Sequence, residues 1–392
     1  MNVHLPVLMK SSKTFYLKED LESIRHYFHA HPELSAEETH TAKRITEFLQ
    51  LCHPDKIITK LGGNGIAAIF CGKNPGKTIL YRCEMDALPI EESNNFRHRS
   101  KVSGVSHKCG HDGHLTVMLG LARLFKINPI DKGTCILLFQ PAEEIGLGAE
   151  KVLHDPKFQL INPDYVYAFH NLPGYPLNKV VLKEGAFSAA VKSLMIQLKG
   201  KTAHAGEPEK GINPALAVSE IISQAMKLSH NHPDQKGFKV VTPVHMKMGE
   251  VAYGIAPGDA EIHFTLRTWQ EHLLDELTDD ITELSKNIAQ KYELKINTKC
   301  LQHFRANENK KEAIAYLKRT LNTINQDFIE RSLPFKWGED FGLFTQRFNG
   351  AMFGIGAGIN CPALHNPDYD FPDEITPKAI DTFYNLMLEI QK

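Results

Sequence analysis

The stretch Lys108–Phe125, KCGHDGHLTVMLGLARLF, sets a thiol, two imidazoles and a carboxylate directly ahead of an apolar run with helical spacing. Four potential metal donors fall in the six positions from Cys109 to His114. Working outward, short apolar runs bounded by Gly and Asn-Pro-Gly turns read as strands. They are GIAAIF (65–70) and KTILYRCEMD (77–86) before the stretch, and TCILLFQ (134–140) and DYVYAFH (164–170) after it. Helices are expected over DLESIRHYFHAHPEL (20–34), stopping at His31-Pro32, and over EETHTAKRITEFLQL (37–51). This alternation predicts an α/β fold whose central sheet is mixed but largely parallel and flanked by helices. Ligands of such sheets bind beyond the carboxyl ends of the strands. Three polar clusters fall at those ends: Glu84 with Asp86, Gln140 through Glu144, and His170.

The middle of the chain changes character. VKSLMIQLKGK, GFKVVTPVHMKMG, GDAEIHFTLRT and ELKINTKC read as strands, with helices NPALAVSEIISQAMKLS and EHLLDELTDDITELSKNIAQKY between them. That is a β-α-β-β-α-β order, the plan of a ferredoxin-like α+β domain inserted in the larger one. The expected division is 1–184, first part of the larger domain; 185–300, the insertion; and 301–392, where α/β character returns with KEAIAYLKRTL, AMFGIG and PKAIDTFYNLMLEI.

Composition narrows the function classes. With 392 residues, 42% hydrophobic and a formal net charge of -1, the chain carries no broad basic surface, so nucleic acid is not an expected partner. No run of about 18 apolar residues predicts a membrane span. The first twenty residues hold no h-region or small-residue cleavage site, so no signal peptide is expected. Seven scattered cysteines without a CxxC fit reduced thiols in the cytoplasm.

Cys109, His111, Glu143, Glu144, His170 and His365 are the candidate metal donors. Singly each has a plainer reading: a strand-end histidine is more often hydrogen-bonded structure, a Glu-Glu pair a solvated loop, a buried Cys packing. Jointly they suit Zn²⁺, with Mn²⁺, Co²⁺ or Ni²⁺ as other occupants. Gly110, between Cys109 and His111, is expected to clear bulk where metals approach. Five ligands exceed what one open tetrahedral ion needs and suit two ions about 3.5–4 Å apart with a shared ligand. Glu143, next to the ligand Glu144, is then expected to be the general base.

With HAHPELSAEE, EMDALPIEE, HKCGHDGH, FQPAEE, FHNLPGYP, GKTAHAGEPEKGINPA, GEVAYGIAPGDAEIHFTLRT, GEDFGLF and LHNPDYDFPDE in this order, nearly the whole chain resembles the M20 family of metallo-amidohydrolases and peptidases. Within it the likeness is to the subgroup of hippurate hydrolases, N-acyl-amino-acid deacylases and plant auxin-conjugate hydrolases. The resemblance implies a zinc-peptidase-like fold and Cys109, His111, Glu144, His170 and His365 as ligands of two ions. It implies Glu143 as the base and Asp86 as support for the metal site. It implies that His204, on the insertion, holds substrate or oxyanion in a neighbouring subunit, so that the insertion is a lid and dimerisation domain of a homodimer. Arg267, in FTLRT, is a candidate for a substrate carboxylate, against the reading of a plain strand arginine. Asp112 and His114 are expected to support the site or to start the helix.

The chain departs from the family at Glu84, where Asp is common, at Ser106, where Met is frequent, and at Gly254, where Asn is usual. The expected reaction is hydrolysis of the amide of a small N-acyl amino acid. The rivals are a carboxypeptidase or dipeptidase with the same metals, an inactive metal-binding homologue, and thiol catalysis by Cys109. The last leaves Glu144, His170 and His365 without a purpose.

Overall fold

The computed structural model describes residues 18–234 and 237–392, so residues 1–17, where a leader was sought, lie outside the described residues. Contacts divide the chain into two compact units. The first takes the chain up to Gly185, then Glu308–Ser332 and Asp340–Lys392; the second takes Ala186–Asn307 and Leu333–Glu339.

The first unit is built on eight strands: β1 (Lys56–Leu61), β2 (Gly65–Cys71), β3 (Asn74–Glu84), β4 (Lys132–Gln140), β5 (Tyr165–Pro173), β6 (Val180–Leu182), β7 (Phe328–Glu330) and β8 (Asn349–Gly358). Their order in the sheet is β1-β2-β4-β3-β5-β8-β6-β7. The four central strands, β4, β3, β5 and β8, run parallel, while β1, β2 and the β8–β6 pair are antiparallel. The centre reads as near-continuous apolar sequence because both its faces are covered. Alternate residues divide between the faces. Ile79, Tyr81, Cys83, Cys135, Leu137, Phe139, Tyr165, Tyr167 and Phe169 share one core with the helices. Arg82, Glu84, Gln140 and His170 fall on the other parity.

That core is closed by α1 (Lys18–Ala30), α2 (Thr39–Cys52), α3 (His111–Ile127), α5 (Lys311–Thr323) and α7 (Ile375–Ile390). Two short helices, α4 (Gly148–His154) and α6 (Gly342–Arg347), pack on each other and on β4 and β8. Helix α3 is buried along nearly its whole length, against α1, α2, α7 and β3. This explains a helix that is apolar on all sides. It begins at His111, three residues earlier than the apolar run alone suggested.

The second unit is a four-stranded antiparallel sheet in the order 239–248, 259–268, 190–199, 295–304. Helices Ala215–Lys227 and Glu271–Lys291 bury their apolar stripes on Ala260, Ile262, Phe264 and Leu266, the inward residues of the strictly alternating strand Asp259–Thr268. The element order is β-α-β-β-α-β. Residues 333–339 join this unit although they follow α5 in sequence. The short elements β1, β6, β7, α4 and α6 were not read from sequence; runs of three to seven residues carry too little periodicity to mark themselves.

Candidate metal centre

Parallel register brings the donors together. Glu84 pairs with Gln140 and Arg82 with Ala168, so the segments that leave β3 and β4 start level with His170 on β5. Asp86 follows β3, Glu143 and Glu144 follow β4, and Cys109 and His111 sit where the chain enters α3. His365 comes from the loop after β8, and its N–H donates to the Lys108 carbonyl at 2.8 Å. Ala142 and His365 both have left-handed backbone, φ 56° and 67°. Non-glycine residues hold that conformation where the surroundings impose it. For Ala142 the restraint is Glu38, whose carboxylate accepts the Ala142 N–H at 2.8 Å.

The donor atoms face one another. Cys109 Sγ lies 3.6 Å from His170 Nε2, and the Glu144 oxygens lie 3.8 Å from His111 Nε2 and from His365 Nε2. Cys109, His111 and His170 form one group whose atoms fall within 4.8 Å of one another; Cys109, Glu144 and His365 form a second. The thiol is common to both. Tetrahedral bonds of about 2.0–2.3 Å place ligand atoms about 3.3–3.8 Å apart, so this spacing and this mixture of S, N and O suit Zn²⁺-like ions. The imidazoles are oriented for it. His111 Nδ1 donates to the Asp86 carbonyl at 2.9 Å and His170 Nδ1 to the Asn171 carbonyl at 2.8 Å. A carbonyl only accepts, so in both rings Nε2 keeps its lone pair and points inward.

Asp86 is buried, with Oδ1 3.4 Å from His111 Nδ1. Its Oδ2 accepts from Ser35 Oγ at 2.7 Å and from the Glu144 N–H at 2.9 Å. Burial raises its pKa, but His111, Ser35 and the Glu144 N–H outweigh that and hold it below the usual carboxylate range. Glu143 is almost fully buried, with Oε1 3.3 Å from the Asp340 N–H.

The two glycines of KCGHDGH answer to sterics. Gly110 has φ 93°, and a Cβ there would lie 2.8 Å from Asn171 Oδ1; at Gly113 a Cβ would lie 2.3 Å from the Phe371 ring. Gly110 therefore makes room for the Asn171 side chain, where clearance for the metals was expected.

Two buried networks around the centre escaped sequence reading. In one, Arg82 binds Glu84, Asp340 and Gln140, all without exposure. Glu84 also accepts from His114 Nδ1, and His114 Nε2 meets Asn171. Burial, then His170 and His111, push the His114 pKa well below its ordinary value. In the other, Asp112 binds Arg25 at 3.0 Å and His29 at 2.9 Å, and Glu92 binds His29 at 3.0 Å and Lys108 at 2.5 Å. Burial opposes ionisation of His29, but Asp112 and Glu92 overcome it and raise its pKa to about 9. Helix-like spacing of Arg25 and His29 was a signal available in the sequence; nothing there named their partners.

In the second unit, His204 is exposed on a two-stranded ribbon, opposite Ile255. Its Nδ1 accepts the Gly206 N–H at 3.0 Å, which leaves Nε2 as the protonated, donating nitrogen of the neutral ring. Arg267 is partly buried, donates to the Lys336 carbonyl at 2.8 Å and pairs with no carboxylate among the described residues. A Cβ at Gly254 would meet open space.

A mixed α/β fold with thiolate, imidazole and carboxylate donors beyond its parallel strands defines a metal-dependent hydrolase of the zinc-peptidase type. The chain belongs to peptidase family M20/M25/M40, whose model matches residues 80–389. It is 31% identical to the hippurate hydrolase of Campylobacter jejuni, over 96% of this chain and 98% of that one. It is 31% identical to an N-acetyldiaminopimelate deacetylase of Lactobacillus helveticus, over 91% and 94%. The YXEP protein of Bacillus subtilis, a dinuclear metal binding peptidase of the M20 family, superposes with a TM-score of 0.80 at 27% identity, covering 96% of this chain and 99% of that one. The chain is thus a metal-dependent hydrolase of amide bonds. No helix among the described residues is long and apolar enough to cross a membrane.

Proposed function

We propose that the protein hydrolyses the amide bond of small N-acyl amino acids, of the hippurate or N-acetyl-amino-acid kind, with two divalent ions. The observation that carries this reading is Cys109 standing in two donor groups at once, with His111 and His170 and with Glu144 and His365. The names of the hippurate hydrolase and deacetylase relatives support the substrate class. Zn²⁺ suits the thiolate best; Mn²⁺, Co²⁺ and Ni²⁺ are the other candidates.

Bound ions would supply Lewis acidity to the acyl carbonyl and acidify the attacking water. Glu143, buried beside Glu144, takes the water's proton and returns it to the departing amine. Asp86 holds the His111 ring and the Glu144 backbone in place. As the family resemblance implies, His204 serves the oxyanion of a neighbouring subunit, where an imidazole N–H can donate to it. Arg267 receives the substrate carboxylate.

We further propose a homodimer formed through the second unit. Strand Lys239–Met248 is a sheet edge with Val244, Met246 and Met248 exposed, and Leu216 on the neighbouring helix is exposed as well. Such an edge is a template for strand pairing, and a twofold partner offers the same surface. None of the seven cysteines forms a disulfide, which supports a reducing, cytoplasmic setting.

The test is to strip the metal, then assay N-acetyl, N-benzoyl and indole-acyl amino acids beside dipeptides, with each ion added back singly. Metal-restored release of amino acid from an acyl class supports the proposal. Preference for dipeptides moves the assignment to a peptidase.

A further inference from the structure

Lysine is rarely buried without a partner, and Lys108 has no exposed surface. It lies one residue before Cys109, and the partners of its ammonium are outside the donor set. The ammonium donates to Glu92 Oε1 at 2.5 Å and to the Tyr369 carbonyl at 2.8 Å. The main chain of the same residue accepts the His365 N–H at 2.8 Å. One residue therefore fastens the C-terminal loop at two points, His365 and Tyr369, four positions apart. Two further bonds join the same regions: Ser93 N–H to the Pro367 carbonyl at 3.0 Å, and Asn94 Nδ2 to the Tyr369 carbonyl at 3.3 Å.

His365 is the one candidate ligand with a largely exposed side chain, 52% against 1% for His111. It stands on a loop with left-handed backbone, not on a strand or helix. Its seat must come from neighbours. Glu92 cannot supply it alone, because its carboxylate is also held by His29 and by the Ser100 N–H at 2.6 Å. A point charge on a long stem can bond a carboxylate and a carbonyl together. Removing it takes the ammonium's bond from both acceptors, and leaves Asn94 on the Tyr369 carbonyl and His29 and the Ser100 N–H on Glu92.

We propose that Lys108 is a positioning residue for the second metal: its buried ammonium holds the Tyr369 carbonyl, and so the loop that carries His365, against the Cys109 segment. The ion held by Cys109, Glu144 and His365 then depends on Lys108, whereas the ion held by Cys109, His111 and His170 does not. This inference rests on the two-ion reading above.

The experiment is a Co²⁺ titration of metal-free full-length protein, followed by calorimetry and by thiolate-to-metal absorption. It compares the wild type, Lys108→Met, the charge-neutral pair Lys108→Met with Glu92→Gln, and His365→Ala. Circular dichroism checks the fold, and the double variant guards against misfolding caused by an unpaired buried carboxylate. The wild type is expected to bind two equivalents and His365→Ala one. Both Lys108 variants keep the first affinity and lose about tenfold or more in the second, the scale on which residues supporting ligands act. Wild-type affinity for both ions in the double variant, or equal weakening of both, overturns the inference alone. A wild type that binds a single equivalent overturns the two-ion reading and this inference with it.

Discussion

Glu144 stands between two histidines, its Oε1 3.8 Å from His111 Nε2 and its Oε2 3.8 Å from His365 Nε2. Its neighbour Glu143 accepts the Asp340 N–H at 3.3 Å. On the proposed mechanism these adjacent residues of one type have separable roles. Glu144→Gln is expected to lower bound metal together with activity. Glu143→Gln is expected to keep two ions and lose about 10²–10⁴ in kcat, the usual size of general acid–base catalysis. Metal analysis beside steady-state kinetics checks both; a Glu143→Gln enzyme with normal turnover would sink the assignment.

Gly113→Ala should destabilise the protein although alanine favours helices. The new Cβ falls 2.3 Å from the Phe371 ring, in a core that has no slack. Overpacking of this kind costs about 1–3 kcal/mol. Urea unfolding reads it, and Gly113→Ala with Phe371→Leu should recover part of the loss.

Arg82→Met removes a cation that bonds both Glu84 and Asp340. Breaking a buried pair from one side costs about 3–5 kcal/mol, because the remaining charges stay buried. The extra methylene of Glu84 relative to aspartate is part of this network, where it reaches both Arg82 and His114. Glu84→Asp is accordingly expected to lower the melting temperature, measured by calorimetry.

Stability should fall as pH rises from about 6.5 to 9. The folded pKa of His29 is raised to about 9 against an ordinary 6.5. Its charged form is therefore favoured in the folded state. The contribution is complete below about pH 6.5 and disappears as pH passes the folded value; it is on the order of 3 kcal/mol. His29→Gln should be less stable at pH 6 and lack this slope. An unchanged slope in that variant would remove His29 as the cause.

The sites of the donors were open to reading for a local reason. Strand periodicity locates the ends of β3 and β4 and the apolar run of β5, and polar donors after or within those runs stand out. His365 carried no such mark. It lies in a loop far downstream of the other donors, at no strand end. Arg25, Arg82 and Lys108 look in sequence like any solvated cation, yet all three are fully buried.

By itself the sequence determined the alternation of strands and helices, the inserted β-α-β-β-α-β order, and the kinds of donor available. These depend on side-chain period, turn residues and ligand chemistry, all of which act within a few residues. Only the tertiary structure decided which charges are buried and against whom: Arg82 with Asp340, Lys108 with Glu92, Arg25 with Asp112. Those pairings join residues 16 to 258 positions apart. Whether a charge is solvated or locked depends on what the fold brings beside it, and no local pattern encodes that.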